Sequence, residues 1–162
     1  MSFDFKGRRV LGAGGSRGSG RSVALGFAAA GADVSICARS EGPLEATRAE
    51  VAAKGVKAHA SVCDLADKEA IEVWVAGAVA ALGGVDVLVN NASGFGSQDT
   101  EEHWAQGLSV DVMATVRATH AVLPQLEASR GCIVNVSSIS GYRPSLRTPA
   151  YAAVKALLIN YT

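Results

Sequence analysis

Three residues near the end of this 162-residue chain have the types and spacing to do acid–base chemistry: Ser138, Tyr151 and Lys155. Tyr151 and Lys155 are four positions apart, which puts both side chains on one face of a helix. A free phenol has a pKa of about 10, and an ammonium beside it favours the phenolate. Such a phenol can exchange a proton with an oxygen bound to carbon. Ser138, thirteen residues before Tyr151, adds a hydroxyl that can hold that oxygen in line. The chemistry these groups suit is interconversion of a carbonyl and a secondary alcohol, in which a hydride reaches carbon and an alkoxide must be protonated.

A hydride needs a donor, and a second motif supplies a place for one. The stretch Gly12-Ala13-Gly14-Gly15-Ser16-Arg17-Gly18-Ser19-Gly20 runs from an apolar segment into a helical one. Glycines there let the backbone approach a pyrophosphate closely, and the helix N-terminus offers N–H groups and a positive dipole end. A Walker loop is excluded, because no Gly-Lys-Ser/Thr follows. Dinucleotide folds that take NAD place an acid near the end of the second strand; here Arg39 stands directly after Ala38. Arg39 and Arg17 together suit a 2′-phosphate, so the expected cofactor is NADP(H).

Five short runs rich in Val and Ile read as strands: Arg8–Ala13, Asp33–Ala38, Val56–Ala60, Val85–Val89 and Cys132–Val136. Helical stretches lie between them, at Gly18–Ala30, Glu41–Lys54, Asp67–Leu82 and Glu101–Glu127. A last helix begins at Pro149, with Thr148 as its N-cap. The strands are apolar on both faces, as in a parallel sheet covered by helices. The expected fold is therefore a Rossmann-type, doubly wound α/β sheet forming one nucleotide-binding domain over residues 1–162. Ligands of such sheets lie beyond the carboxyl ends of the strands, where Ser138, Tyr151 and Lys155 all fall.

Composition narrows the partners. Fifteen basic residues balance fifteen acidic ones, which gives no argument for nucleic acid or an anionic membrane. No apolar run approaches the roughly 20 residues of a membrane helix, and MSFDFKGRR lacks the core of a secretory signal. Cys37, Cys63 and Cys132 form no CxxC pair, and His59, His103 and His120 share no metal spacing, so no metal site is expected. The thiols are expected buried and free, in a cytoplasmic protein, and Trp74 and Trp104 are expected to pack.

Taken together, these residues resemble the short-chain dehydrogenase/reductase family, NADP(H)-preferring members similar to 3-oxoacyl-ACP reductases among them. Gly14, Gly18 and Gly20 match its TGxxxGxG turn, Asn90-Asn91-Ala92 its NNAG stretch, and Ser138, Tyr151 and Lys155 its serine and YxxxK at the family's own spacing. The resemblance implies that Tyr151 is the general acid/base, that Lys155 binds the nicotinamide ribose, and that Ser138 orients the substrate oxygen. It also implies that Asp64 and Leu65 hold the adenine, and that Asn91 and Ala92 line the cofactor with Ser16, Arg17 and Ser19 of the turn. The chain departs from the pattern at Ala13 (usually Thr), Ser19 (usually branched apolar), Ser93 (usually Gly) and Asp111. Asp111 stands where the family has an Asn counted as a fourth catalytic residue. Its backbone carbonyl could still hold the relay water, and its carboxylate would stabilise the Lys155 ammonium. Gly94-Phe95-Gly96 and Ser140–Arg143 are expected at the substrate mouth. The resemblance further implies a small carbonyl or alcohol substrate and a homodimer or homotetramer built on helices Glu101–Glu127 and Pro149 onward. It also implies further strands after Thr162, because Ala150–Tyr161 is too apolar to stay uncovered. A binding protein without turnover, a sensor or scaffold, is the alternative to an enzyme.

Overall fold

The computed structural model describes residues 3–162; Met1 and Ser2, which the sequence reading counts in the domain, lie outside the described residues. Strands β1 (Arg9–Ala13), β2 (Asp33–Ala38), β3 (Ala58–Val62), β4 (Val87–Asn90) and β5 (Cys132–Asn135) form one sheet in the order β3-β2-β1-β4-β5. Every neighbouring pair is parallel. Parallel neighbours need crossovers, and helices supply them. Helix α1 (Gly18–Ala29) leads to β2 and α2 (Glu41–Ala52) to β3. Helix α3 (Lys68–Leu82) then carries the chain back across β1 to β4. The strand order reverses between β1 and β4, and the crevice above that reversal is where a doubly wound sheet binds ligands.

Alternation along each strand feeds two cores. Leu11 and Leu88 point to one face and pack with Ile71 and Trp74 of α3 and Val122. Val10 and Val89 point to the other and pack with Ala24, Ile36 and Val51 under α1 and α2. Trp74 is fully buried and its indole N–H donates to Ser35 Oγ at 3.0 Å, so a packing residue also closes a polar contact in the core. Cys37 and Cys63 are buried free thiols, but Cys132 is exposed at the start of the edge strand β5, against the expectation for all three. No helix among the described residues is long and apolar enough to cross a membrane.

Most ends shift by one or two residues from the sequence reading, and three differences have an identifiable cause. β3 starts two residues later, because Asp33 Oδ1 takes the Lys57 N–H (2.8 Å) and pairing with β2 begins at Ala58. β4 also starts two residues later, because Asp86 is engaged by Arg9, whose N and Nε donate to Oδ2 at 2.9 and 2.7 Å. The stretch Glu101–Glu127 is not one regular helix. It divides into α4 (Glu101–Gln106), a π-helical segment (Gly107–Met113) and α5 (Ala114–Ser129). The π turns lie where α6 (Pro149–Tyr161) crosses: a Cβ on Gly107 would stand 3.3 Å from Val154 Cγ1.

Candidate active site

Because all strands run the same way, the loops after them share one edge of the sheet. The glycine turn follows β1, Arg39 follows β2, Asp64-Leu65 follows β3, Asn91-Ala92 follows β4 and Ser138 follows β5. The residues singled out in the sequence are thus brought to one edge, from five separate strands.

The glycine turn is built to keep side chains away. Gly14 has φ +84° and Gly18 φ +56°, both left-handed. A Cβ on Gly20 would fall 1.9 Å from Gly14 O and 2.6 Å from Asn91 Nδ2. Asn91 Nδ2 itself donates to Gly14 O at 3.1 Å, so the turn is braced against the loop after β4 without the hydroxyl that Ala13 lacks. No side chain caps α1, whose N-cap residue is Arg17, and its first N–H groups stay open for an anion. A close-approach backbone cradle over an open helix N-terminus fits a dinucleotide pyrophosphate. Arg17 and Arg39 are exposed at this edge, and neither has a carboxylate partner among the described residues. Asp64 is exposed and Leu65 buried beneath it.

The other half of the site is stitched to α6. Ser137 Oγ donates to Lys155 O at 2.7 Å, and Lys155 Nζ donates to Val136 O at 3.0 Å. These bonds fasten the first turns of α6 to the end of β5. Ser138 caps the 3₁₀ turn Ile139–Tyr142; its Oγ accepts from Ser140 N at 3.2 Å, which leaves the hydroxyl hydrogen to donate elsewhere. A Cβ on Gly141 would meet Lys155 C at 2.9 Å, so this turn lies directly on α6. Thr148 does occupy the N-cap of α6, but its hydroxyl pairs with Ser145 Oγ (2.8 Å) instead of capping the helix.

Tyr151 is half-buried, and Lys155 Nζ lies 5.6 Å from the centre of its ring. The Phe95 ring is parallel to Tyr151, 6.3 Å away. Lys155 is buried, and so is Asp111, whose Oδ1 lies 3.0 Å from Nζ. Asp111 therefore does more than stand near the lysine: it forms a buried ion pair with it. Its other oxygen, Oδ2, accepts from Gly94 N at 2.8 Å. The backbone carbonyl of Asp111, expected to hold a relay water, already accepts from Thr115 Oγ1 at 2.8 Å. Thr115 and the Gly94 N–H carry no signal in the sequence, because their roles depend on the π turn that rotates Asp111 inward. No group of three metal-ligating side chains occurs among the described residues.

Residues 8–162 match the short chain dehydrogenase family, and the chain belongs to it. An uncharacterized oxidoreductase of Mycobacterium tuberculosis is 34% identical over 157 residues, covering 92% of this chain and 59% of that protein. A short chain dehydrogenase from Burkholderia cenocepacia, solved in complex with NADP, superposes with TM-score 0.91 at 37% identity, over 97% of this chain and 66% of that one. A xylitol dehydrogenase with NAD+ bound superposes with TM-score 0.92 at 30% identity, over 98% and 63%. The chain thus spans about three fifths of the length of these relatives.

Proposed function

We propose that this protein is an NADP(H)-dependent oxidoreductase that interconverts a carbonyl and a secondary alcohol. The observation that carries the reading is the meeting, at one sheet edge, of the phosphate cradle after β1 with Tyr151 and Lys155 on α6. A nicotinamide cofactor held there supplies or accepts the hydride.

The chain's own residues do the rest. Tyr151 gives its phenolic proton to the nascent alkoxide, or takes it back in the oxidative direction. Lys155, held by Val136 O, places a positive charge beside the ring that becomes anionic, and it takes the nicotinamide ribose hydroxyls. Ser138 donates its free hydroxyl hydrogen to the substrate oxygen. Asp64 and Leu65 hold the adenine, and Asn91 and Ala92 line the ribose side. Arg17 and Arg39 take the 2′-phosphate; a hydrogen bond to a charged group contributes about 1.5–3 kcal/mol. A related xylitol dehydrogenase has NAD+ bound, so the choice between the two cofactors is made by the residues at the adenine ribose.

Titration with each cofactor decides it. NADPH should bind at least about tenfold more tightly than NADH, the difference that one such contact produces. Arg39→Asp should reverse the order by placing a carboxylate near the ribose. Equal affinities in the unsubstituted protein would remove Arg39 from the site.

A further inference from the structure

Arg17 and Arg39, which the proposed function sets on the 2′-phosphate, arrive from different elements. Arg17 is the N-cap of α1, at the end of the glycine turn, and Arg39 stands directly before Ser40, the N-cap of α2. Two exposed side chains can share one phosphate only if the backbones that carry them keep a fixed spacing. A buried side chain joins the two segments. Thr47 lies on the inner face of α2 with Leu44 and Val51 and is 1% exposed. Its Oγ1 is 3.2 Å from Ser16 O, the carbonyl that precedes Arg17.

Thr47 has one hydroxyl hydrogen and two carbonyls within reach, Ser16 O and Pro43 O, the second at 3.0 Å. Pro43 is four residues earlier in the same helix, so its carbonyl is the regular acceptor of the Thr47 main-chain N–H. Ser16 O takes no main-chain N–H among the described residues. The shared hydrogen therefore matters most at Ser16. Its effect there is one of direction. The Ser16–Arg17 peptide is trans, so its C=O and N–H point opposite ways. A carbonyl held toward α2 turns the Arg17 N–H away from α2 and fixes how Arg17 leaves the turn. The residues before it are anchored by β2. Gly14 N and Gly15 N both donate to Cys37 O, at 3.1 and 3.0 Å, and a Cβ on Gly15 would stand 2.5 Å from Ile36 Cβ. β2 thus holds the turn as far as Gly15, and Thr47 holds the next residue.

We infer that Thr47 is a positioning residue for cofactor choice: its hydroxyl ties the turn that bears Arg17 to the helix that follows Arg39, and so sets the two guanidinium groups to share one phosphate. The inference rests on the proposed NADP(H) preference. Its own content is a residue, away from the cofactor, whose loss falls on NADPH and spares NADH, because NADH has no 2′-phosphate.

Wild type, Thr47→Val and Thr47→Ser, each titrated with NADPH and with NADH, test it. Valine keeps the bulk without the hydroxyl, and serine keeps the hydroxyl without a buried methyl. Thr47→Val should bind NADPH about threefold or more weakly, with NADH within about twofold of wild type. Thr47→Ser should keep the wild-type preference, although the lost methyl lowers its melting temperature. A merely structural role would make affinity follow melting temperature, so equal losses in Thr47→Ser and Thr47→Val would overturn the inference. Unchanged NADPH affinity in Thr47→Val, or an equal loss of both cofactors, would overturn it too. Backbone ¹⁵N relaxation reads the tie with no cofactor present. The Arg17 amide should gain motion in Thr47→Val and not in Thr47→Ser, and unchanged order in Thr47→Val would again refute the tie. Equal NADPH and NADH affinity in the wild type is a different result: it defeats the cofactor assignment, and relaxation at Arg17 then decides the tie by itself.

Discussion

Buried polar side chains in this protein divide by which end of the strands they occupy. Asp86, at the entry to β4, is pushed up by burial but pulled further down by the Arg9 guanidinium and the Arg9 main-chain N–H, so it sits below the ordinary carboxylate value. It lies at the end of the sheet opposite Ser138 and Tyr151, and its work is structural. His59 of β3 is another structural residue. Its Nδ1 accepts from Ser35 Oγ at 2.9 Å, because that hydroxyl already takes the Trp74 N–H. Burial lowers the His59 pKa from its ordinary 6.5, so the folded protein resists the proton that the unfolded chain accepts. Stability from this group is therefore complete above pH 6.5 and declines as the pH falls below it toward the folded value. Urea unfolding at pH 7.5 and pH 5.5 should show the loss, and His59→Asn, which keeps an acceptor but cannot titrate, should remove most of it. An identical pH dependence in the variant would assign the acid sensitivity to other groups.

At the scale of elements, the glycine turn and the π turn contrast in how they can be read. The turn after β1 is legible, because glycine, strand and helix each leave a local pattern and Gly14, Gly18 and Gly20 stand where the backbone needs them. Its prediction is steric. Gly20→Ala would drive a methyl into Gly14 O, so the turn must shift: NADPH affinity should fall by about tenfold or more, and the melting temperature should fall with it. Unchanged affinity would mean that the cradle is not where the cofactor sits. The break in Glu101–Glu127 leaves no such pattern. Leu108, Val112, Thr115 and Val122 continue an amphipathic rhythm across it, and the π turns lie where α6 packs against Gly107, a tertiary contact with no local pattern. The sequence places a carboxylate at Asp111 beside Lys155, but the π turn that carries it is not legible there. Likewise the starts of β3 and β4 follow from Asp33 and Asp86 taking main-chain N–H groups, which strand propensity does not register.

The whole molecule is one parallel sheet whose strand reversal between β1 and β4 gathers five loops at one edge. That convergence was readable in the order of strands and helices, since parallel connection follows from alternation. Assembly is a separate matter. Leu108 and Met113 on the π segment and Leu157 and Tyr161 on α6 are each about two-fifths exposed on neighbouring elements, a face suited to an isologous contact between two copies. Light scattering at micromolar concentration should give at least twice the mass of one chain; a strict monomer would assign that face elsewhere. The central claim, however, is chemical: Tyr151 delivers the proton to a substrate reduced by NADPH. The direct measurement is NADPH oxidation by wild type and Tyr151→Phe across a panel of ketones and acyl thioesters, with cofactor binding measured in parallel. The account predicts turnover in the wild type, a loss of about 10²-fold or more in the variant, and NADPH affinity kept in both. A variant that retains more than about a tenth of the wild-type rate would contradict it, because removing a general acid does not leave that much.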